Sequence, residues 1–502
     1  MSKIKVLFPA FVLMQLLLWT QSGNQPSSKT SAGKAPVTPK SQGAQPPHSW
    51  KQVPIPALRA FHPQEPRRVE LPNGMVIFLQ EDHELPLIDG TIRIRGGSRE
   101  EPADKVGMIS MYAEVWRTGG TQSKTGDELD DFLEAHAAHV EASENADSTF
   151  LSWSSLKENF DQVFPVVLDL LEHPAFRQEK IDLAKQQFVS LISRRNDDMD
   201  EIASRESTKL AYGPENPYAR TAEYYTISAI MRDDLLAWHQ RTITPNHMIV
   251  GVVGDFDSAA MEQRLRQAFG NMPRTTPVPP PQIAFHEPKP GIYFVEKNDV
   301  NQSDIQMVDL GTERRNPDFY ALEVMNQLFG GGFSSRLFAN IRTKQGLAYS
   351  VGGGVGANYD HPGITRIAMG TKSGSTAAGI EALRKEMTRL ITGHVEEEEV
   401  KRAKDAILNS FIFEFDSKEK VLAERMRYEF YGYPPDFLER FRAGIEKVTS
   451  ADVDRVARKY IHPDKMAVLV VGNSKDFDRE LATFGHVTTI DITIPEKPGN
   501  SR

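Results

Sequence analysis

The chain has 502 residues, is 39% hydrophobic and 25% charged, and carries a formal net charge of -9 with no cysteine. This length exceeds one ordinary domain and points to about two to four, each large enough to bury a core. The acidic balance leaves no basic footprint for nucleic acid, and the missing thiols exclude disulfides, thiolate metal ligands and a lipidated-cysteine anchor.

At the N-terminus, Lys3 and Lys5 precede an apolar run from Val6 to Trp19 that gives way to small and polar residues. This is the pattern of a secretory signal over residues 1–22, and the run is short for a membrane span. The cleavage signal is poor, so an uncleaved anchor is the one membrane attachment left open. A periplasmic or secreted location follows, with a bacterial periplasm as the setting. Residues 23–62 are rich in Ser, Gln, Pro and Lys with almost no periodic apolar pattern, and read as a disordered tether.

Order begins near Arg67. The segment VELPNGMVIFLQED predicts two strands around Pro72-Asn73-Gly74, and LIDGTIRIRGG continues as an alternating strand. Helical patterns follow over residues 106–116 and 126–138, then a strand near 149–154, a helix over 156–171 and a helix from 178 to about 197.

Two later stretches repeat one another: RDDLLAWHQRTITPNHMIVGVVGDFD at residues 232–257 and SADVDRVARKYIHPDKMAVLVVGN at 450–473. Helix, proline (Pro245, Pro463), methionine (Met248, Met466), apolar strand and glycine (Gly254, Gly472) fall in one register, which marks an internal duplication. RTGG at 117–120 likewise answers FGGG at 329–332. Between the copies, NMPRTTPVPPPQIAFHEPKP at 271–290 is too rich in proline for a helix or a central strand. The expected fold is α+β: two homologous domains over residues 63–272 and 291–496, joined by a linker at 273–290. Each would hold a mixed or antiparallel sheet packed with helices.

The run LFGGGFSSRLFANIRTKQGLAYSV at 328–351 reads as a helix, a Gly-rich turn, a second helix and a strand. Gly330, Gly331 and Gly332 allow backbone angles that other residues resist, Ser334 or Ser335 can cap the second helix, and Gly346 can end it with Lys344 in its last turn. Arg342 at a helix end and Tyr349 at the start of the next strand could supply two donors to a peptide carbonyl or its oxyanion.

Together with VGMISMYAEVWRTGGT at 106–121, this run resembles the insulinase/pitrilysin family of zinc peptidases, the inverzincins, and their mitochondrial processing peptidase relatives. The resemblance covers nearly everything from about Arg67 to Ile494. It implies that Arg342 and Tyr349, matching R-x-x-x-G-L-x-Y, face the substrate across a cavity from zinc. It also implies that Gly330 to Gly332 form a substrate loop admitting an extended peptide. Active members carry H-x-x-E-H, two zinc-binding imidazoles around a general base, with a later Glu as third ligand. Aligned on Gly107 and Gly120-Thr121, this chain has Ser110, Met111, Tyr112, Ala113 and Glu114, so both His positions and the base are lost. Residues 180–200 contain no Glu, and VMNQLF at 324–329 in the second copy has no His.

Glu114 falls at the second His position, but one carboxylate without imidazoles is a weak metal site, and it reads as a polar residue facing the interdomain cavity. In HAAHVE, His136 and His139 stand one helical turn apart with Glu141 nearby, and read as a surface pair rather than a chelate. The resemblance therefore implies a catalytically incomplete subunit that binds no metal or other cofactor itself. It would give Arg342 and Tyr349 to a homologous H-x-x-E-H partner that holds the zinc, the two enclosing an extended peptide. The alternative is a structural or peptide-binding subunit without a role in proteolysis, similar to respiratory-complex core subunits of this fold. An autonomous zinc peptidase with unusual ligands has the least support from the residues.

Overall fold

The computed structural model describes residues 63–276 and 279–495, so the expected signal and tether lie outside the described residues. Among the described residues, no helix is long and apolar enough to cross a membrane. The first half runs β1 (Arg67–Glu70), β2 (Val76–Glu81), β3 (Leu87–Arg95), α1 (Met108–Thr118), α2 (Gly126–Ala135), β4 (His139–Glu144), β5 (Ser148–Leu156), α3 (Phe160–Glu172), α4 (Gln178–Arg194), α5 (Met199–Tyr212), α6 (Tyr224–Ala229), α7 (Arg232–Thr242), β6 (Met248–Gly254) and α8 (Ser258–Phe269). The second runs β7 (Gly291–Glu296), β8 (Gln302–Leu310), β9 (Thr312–Glu313), α9 (Phe319–Phe329), β10 (Ala348–Gly354), β11 (Ala357–Asn358), β12 (Ile364–Lys372), α10 (Thr376–Thr392), α11 (Glu397–Phe411), α12 (Lys418–Tyr431), α13 (Phe437–Lys447), α14 (Ser450–Tyr460), β13 (Ala467–Gly472) and β14 (Val487–Thr489).

Two six-stranded mixed sheets result, ordered β1-β2-β6-β3-β5-β4 and β10-β12-β8-β13-β7-β14. Five strands of each correspond: β2-β6-β3-β5-β4 matches β7-β13-β8-β12-β10. In both, the first pair is parallel and the other neighbours are antiparallel. The sixth strands differ, since β1 joins β2 antiparallel whereas β14 joins β7 parallel. The duplicated methionines Met248 and Met466 are both buried as their strands begin.

Every residue of β6 and β13 is buried. Both faces of each sheet are therefore covered, which explains continuous apolar runs in place of alternation. One face packs on that half's own helices. The other face is covered from the opposite half. Leu422, Met426 and Phe430, spaced i, i+4, i+8 on α12, pack on Val76, Phe78, Ile249 and Val253 of the first sheet. Ile202 and Ala203 of α5 pack on Val295, Leu469 and Val471 of the second.

A buried polar knot also ties the halves. Arg99 Nη1 lies 2.9 Å from Asp147, 2.8 Å from Asp360 and 2.6 Å from the Tyr218 hydroxyl. Burial alone would raise the Asp360 carboxyl, but hydrogen bonds from His361 and Arg99 hold it down at about 2.

Two expected elements change. The helix expected over 126–138 starts with a Thr125–Glu128 capping box and stops at Ala135, because Ala137 takes a left-handed φ of 47°. His139 then opens β4, an edge strand that sequence reasoning missed. The helix expected from 156 begins at Phe160, since Leu156 closes β5 and residues 157–159 form a 3-10 turn.

Candidate functional site

The Gly-rich run begins where α9 ends, at Phe329. A Cβ on Gly330 would stand 2.2 Å from the Gly353 carbonyl oxygen, so the loop passes directly against β10 with no room for a side chain. This corrects the expectation of unusual backbone angles: Gly330 has φ -137°, and neither Gly331 nor Gly332 has positive φ. Close backbone approach is what requires glycine at 330. Ser335, buried, accepts at Oγ from the Phe338 amide at 3.3 Å and starts the next helix. From Phe338 to Lys344 that helix is wound as a π-helix, with i→i+5 hydrogen bonding. Gly346, at φ 64°, ends it and feeds β10 at the sheet edge.

Arg342 sits on the π-turn with an exposed side chain, its guanidinium 4.7 Å over the Phe338 ring. Among the described residues no carboxylate forms an ion pair with it. Tyr349, second residue of β10, is 50% exposed. Phe333, 70% exposed, meets Phe338 edge-on at 5.0 Å. Exposed Phe333, half-buried Phe338 and a cation without an ion pair thus share the turn, with a phenol on the edge strand that follows. Sequence reasoning missed Phe333 and Phe338; the i, i+4 spacing of Phe338 and Arg342 was the available signal.

In the first half, the helix that corresponds to α9 is α1. Ser110, Glu114 and Thr118 fall on one face at i, i+4 and i+8, while Met111, Tyr112 and Val115 are buried. Ser110 Oγ donates to Glu144 at 2.7 Å. The Tyr112 hydroxyl donates to His239 Nδ1 at 2.7 Å, and His239 Nε2–H donates to the Leu171 carbonyl at 2.8 Å, which sets the tautomer. Burial pulls His239 down to about 4, so it is neutral. Ala113, at the position of the base, is buried and has no functional group.

The surroundings of this face are acidic. Burial pushes the Glu101 carboxyl up to about 7, against hydrogen bonds from the amides of Gly107 (3.1 Å) and Ile109 (3.2 Å). Burial also raises Glu141; Arg117 opposes this while Asp130 and Glu114 add to it. Carboxylates without imidazoles do not fit a zinc site of the H-x-x-E-H type. Among the described residues, no group of three His, Asp or Glu side chains is placed to hold a metal ion. The expected one-turn pairing of His136 and His139 is also absent. His136 caps α2, bonding Phe132 O at 2.7 Å and the Gln162 side chain, whereas His139 is exposed on β4.

Two family models match the chain: "Insulinase (Peptidase family M16)" over residues 77–218 and "Peptidase M16 inactive domain" over residues 229–407. A non-peptidase homolog YmxG of Helicobacter pylori is 23% identical over 408 residues, spanning 80% of this chain and 92% of its own. An uncharacterized zinc protease YmxG of Bacillus subtilis is 23% identical over 80% of this chain and 98% of its own. A probable mitochondrial-processing peptidase subunit beta of Arabidopsis thaliana is 22% identical over 82% and 79%. Among solved structures, a peptidase M16 inactive domain from Pseudomonas fluorescens has a TM-score of 0.73 at 22% identity, covering 82% of this chain and 98% of that one. A protease from Helicobacter pylori has a TM-score of 0.72 at 18% identity, covering 82% and 100%.

Proposed function

The chain belongs to the peptidase M16 (insulinase) family, and within it we propose a catalytically incomplete subunit that supplies Arg342 and Tyr349 to a homologous, zinc-bearing H-x-x-E-H partner. The observation that carries this reading is a contrast between two helices. The α1 face offers Ser110, Ala113 and Glu114 where a peptidase needs two imidazoles and a base. The π-turn and β10 present an unpaired guanidinium and an exposed phenol. Arg342 stacks on Phe338 but has no ion pair among the described residues, and Tyr349 is half exposed.

Their chemistry suits a peptide bond held between two chains. The Tyr349 hydroxyl is a single donor suited to an oxyanion that develops only in the transition state, and Arg342 is a forked donor suited to holding a neighbouring backbone carbonyl. The partner's metal would supply the polarisation of the scissile carbonyl. Gly331 and Gly332, exposed and free of side chains, would leave room for an extended peptide along the turn, while Gly330 is already packed against β10.

The test is co-expression with an H-x-x-E-H homologue from the same genome. The two chains are expected to co-purify and to cleave peptides only together. Co-purification without any effect on the partner's cleavage would favour the purely structural subunit, a reading that the name of the Helicobacter pylori relative also supports. A monomer in the presence of that partner would contradict both.

A further inference from the structure

The turn that carries Arg342 is gripped from behind by two carboxylates. Glu386 of α10 is 3% exposed. Its Oε2 accepts from Asn340 Nδ2 at 2.8 Å and its Oε1 from Arg389 Nη1 at 2.9 Å. Asn340 is the hub of the turn: its Oδ1 accepts from Lys344 Nζ at 2.9 Å, and its backbone oxygen accepts from Gln345 Nε2 at 2.8 Å. These bonds bracket Arg342 in sequence, from residue 340 to residues 344 and 345. Glu399 of α11 takes Arg336, at the start of the same helix, in two bonds of 3.0 and 2.7 Å. Leu337 and Ile341 are fully buried and hold the apolar side.

A π-helical stretch of seven residues is rare, and side-chain bonds from outside its own ladder are what can hold it against rewinding to an α-helix. Rewinding would turn Arg342 about the helix axis and away from its present direction. We propose that Glu386, acting through Asn340, is a positioning residue that fixes the winding of this turn and so aims Arg342 at the bound peptide. The proposal rests on Arg342 contacting the peptide, as set out above. The chemistry requires a carboxylate at 386, because both of its partners are donors. An amide would place an NH2 group against Asn340 or Arg389, and flipping Asn340 to relieve this would turn its own NH2 toward the Lys344 ammonium. A charge-assisted network anchored on a buried carboxylate gives one geometry when complete and several when broken.

The experiment uses the full chain assembled with its zinc-bearing homologue, with kcat and KM measured on a quenched fluorescent peptide that the wild-type pair cleaves. Glu386→Gln and Asn340→Ala are each expected to raise KM and to lower kcat/KM by on the order of 10²-fold with the complex intact, the loss that a displacement of about 1 Å produces. Combined with Arg342→Ala, either change is expected to add little to the Arg342→Ala loss, because the aimed contact is already gone. Asn340 is only half-buried, so Asn340→Ala carries the test should Glu386→Gln fail to fold. Wild-type kinetics in Glu386→Gln or Asn340→Ala, or losses that simply multiply with that of Arg342→Ala, would overturn the positioning role while leaving the site assignment standing. An inert Arg342→Ala would overturn the site assignment and the positioning role with it.

Discussion

Gly251 of β6 and Met426 of α12 approach so closely that a methyl group on Gly251 would stand 2.3 Å from the Met426 sulfur. This contact belongs to the exchange in which each half covers the other's sheet, so it reports on the two halves as one folding unit. Gly251→Ala is expected to cost about 1–3 kcal/mol of stability through overpacking. Met426→Ala on the same background should cost less than the sum of the two single changes, because the new methyl occupies part of the space vacated. Urea unfolding of the two single variants and the double variant checks this.

Asp304 on β8 is 9% exposed, its Oδ1 has no hydrogen-bond partner, and burial pushes its carboxyl up to about 6. The folded state therefore holds the proton more tightly than the unfolded chain, where Asp titrates near 3.9. The ionised form opposes folding, so this residue's contribution to stability falls as pH rises from about 4 through 6. Asp304→Asn is expected to stabilise the protein by on the order of 2 kcal/mol at pH 8 and by progressively less toward pH 4. Urea unfolding across that range gives the answer.

His239 acts in the opposite direction. Burial holds it at about 4, below the ordinary value near 6.5, so the unfolded chain takes up the proton first and stability falls as pH drops from about 6.5 toward 4. Tyr112→Phe removes the hydroxyl that donates to its buried Nδ1 and is expected to cost about 1–3 kcal/mol at neutral pH. An unchanged denaturant midpoint would mean that the bond contributes nothing.

The features legible in the sequence were those written as periodicity. Pro245 and Met248 against Pro463 and Met466 gave away the duplication because both copies bury the same strand the same way, and the two glycine-ended helices, α1 and α9, followed from the same register. β4 was invisible because HVEASE at a sheet edge buries only Val140 fully, and a polar strand carries no apolar alternation. The exchange of α5 and α12 was equally hidden, since the stripe of Leu422, Met426 and Phe430 announces a buried face without saying which sheet it meets. At the candidate site, Arg342 and Tyr349 are singled out by the run around them. The π-winding is not, because it depends on Asn340 meeting Glu386, 46 positions away.

The losses at Ser110, Ala113 and Glu114 lead to an expectation about metal content. Elemental analysis of the purified full chain is expected to find no stoichiometric zinc, and about one tightly held zinc per chain would contradict this. Restoring His at 110 and 114 with Glu at 113 is expected to give only weak zinc binding. Position 113 is buried in the core, and residues 180–200 provide no Glu as third ligand.

The most direct test of the central claim is steady-state kinetics of Tyr349→Phe and Arg342→Ala, each assembled with the wild-type zinc-bearing partner. Losing a donor that acts in the transition state typically lowers turnover by on the order of 10²–10³. Tyr349→Phe, which removes only a hydroxyl, is therefore expected to lower kcat with little change in KM, and Arg342→Ala to weaken substrate binding as well. Both side chains are exposed, so both variants are expected to assemble normally. Assembly with cleavage at the unmodified rate in both variants would contradict the assignment and leave the structural-subunit reading in its place.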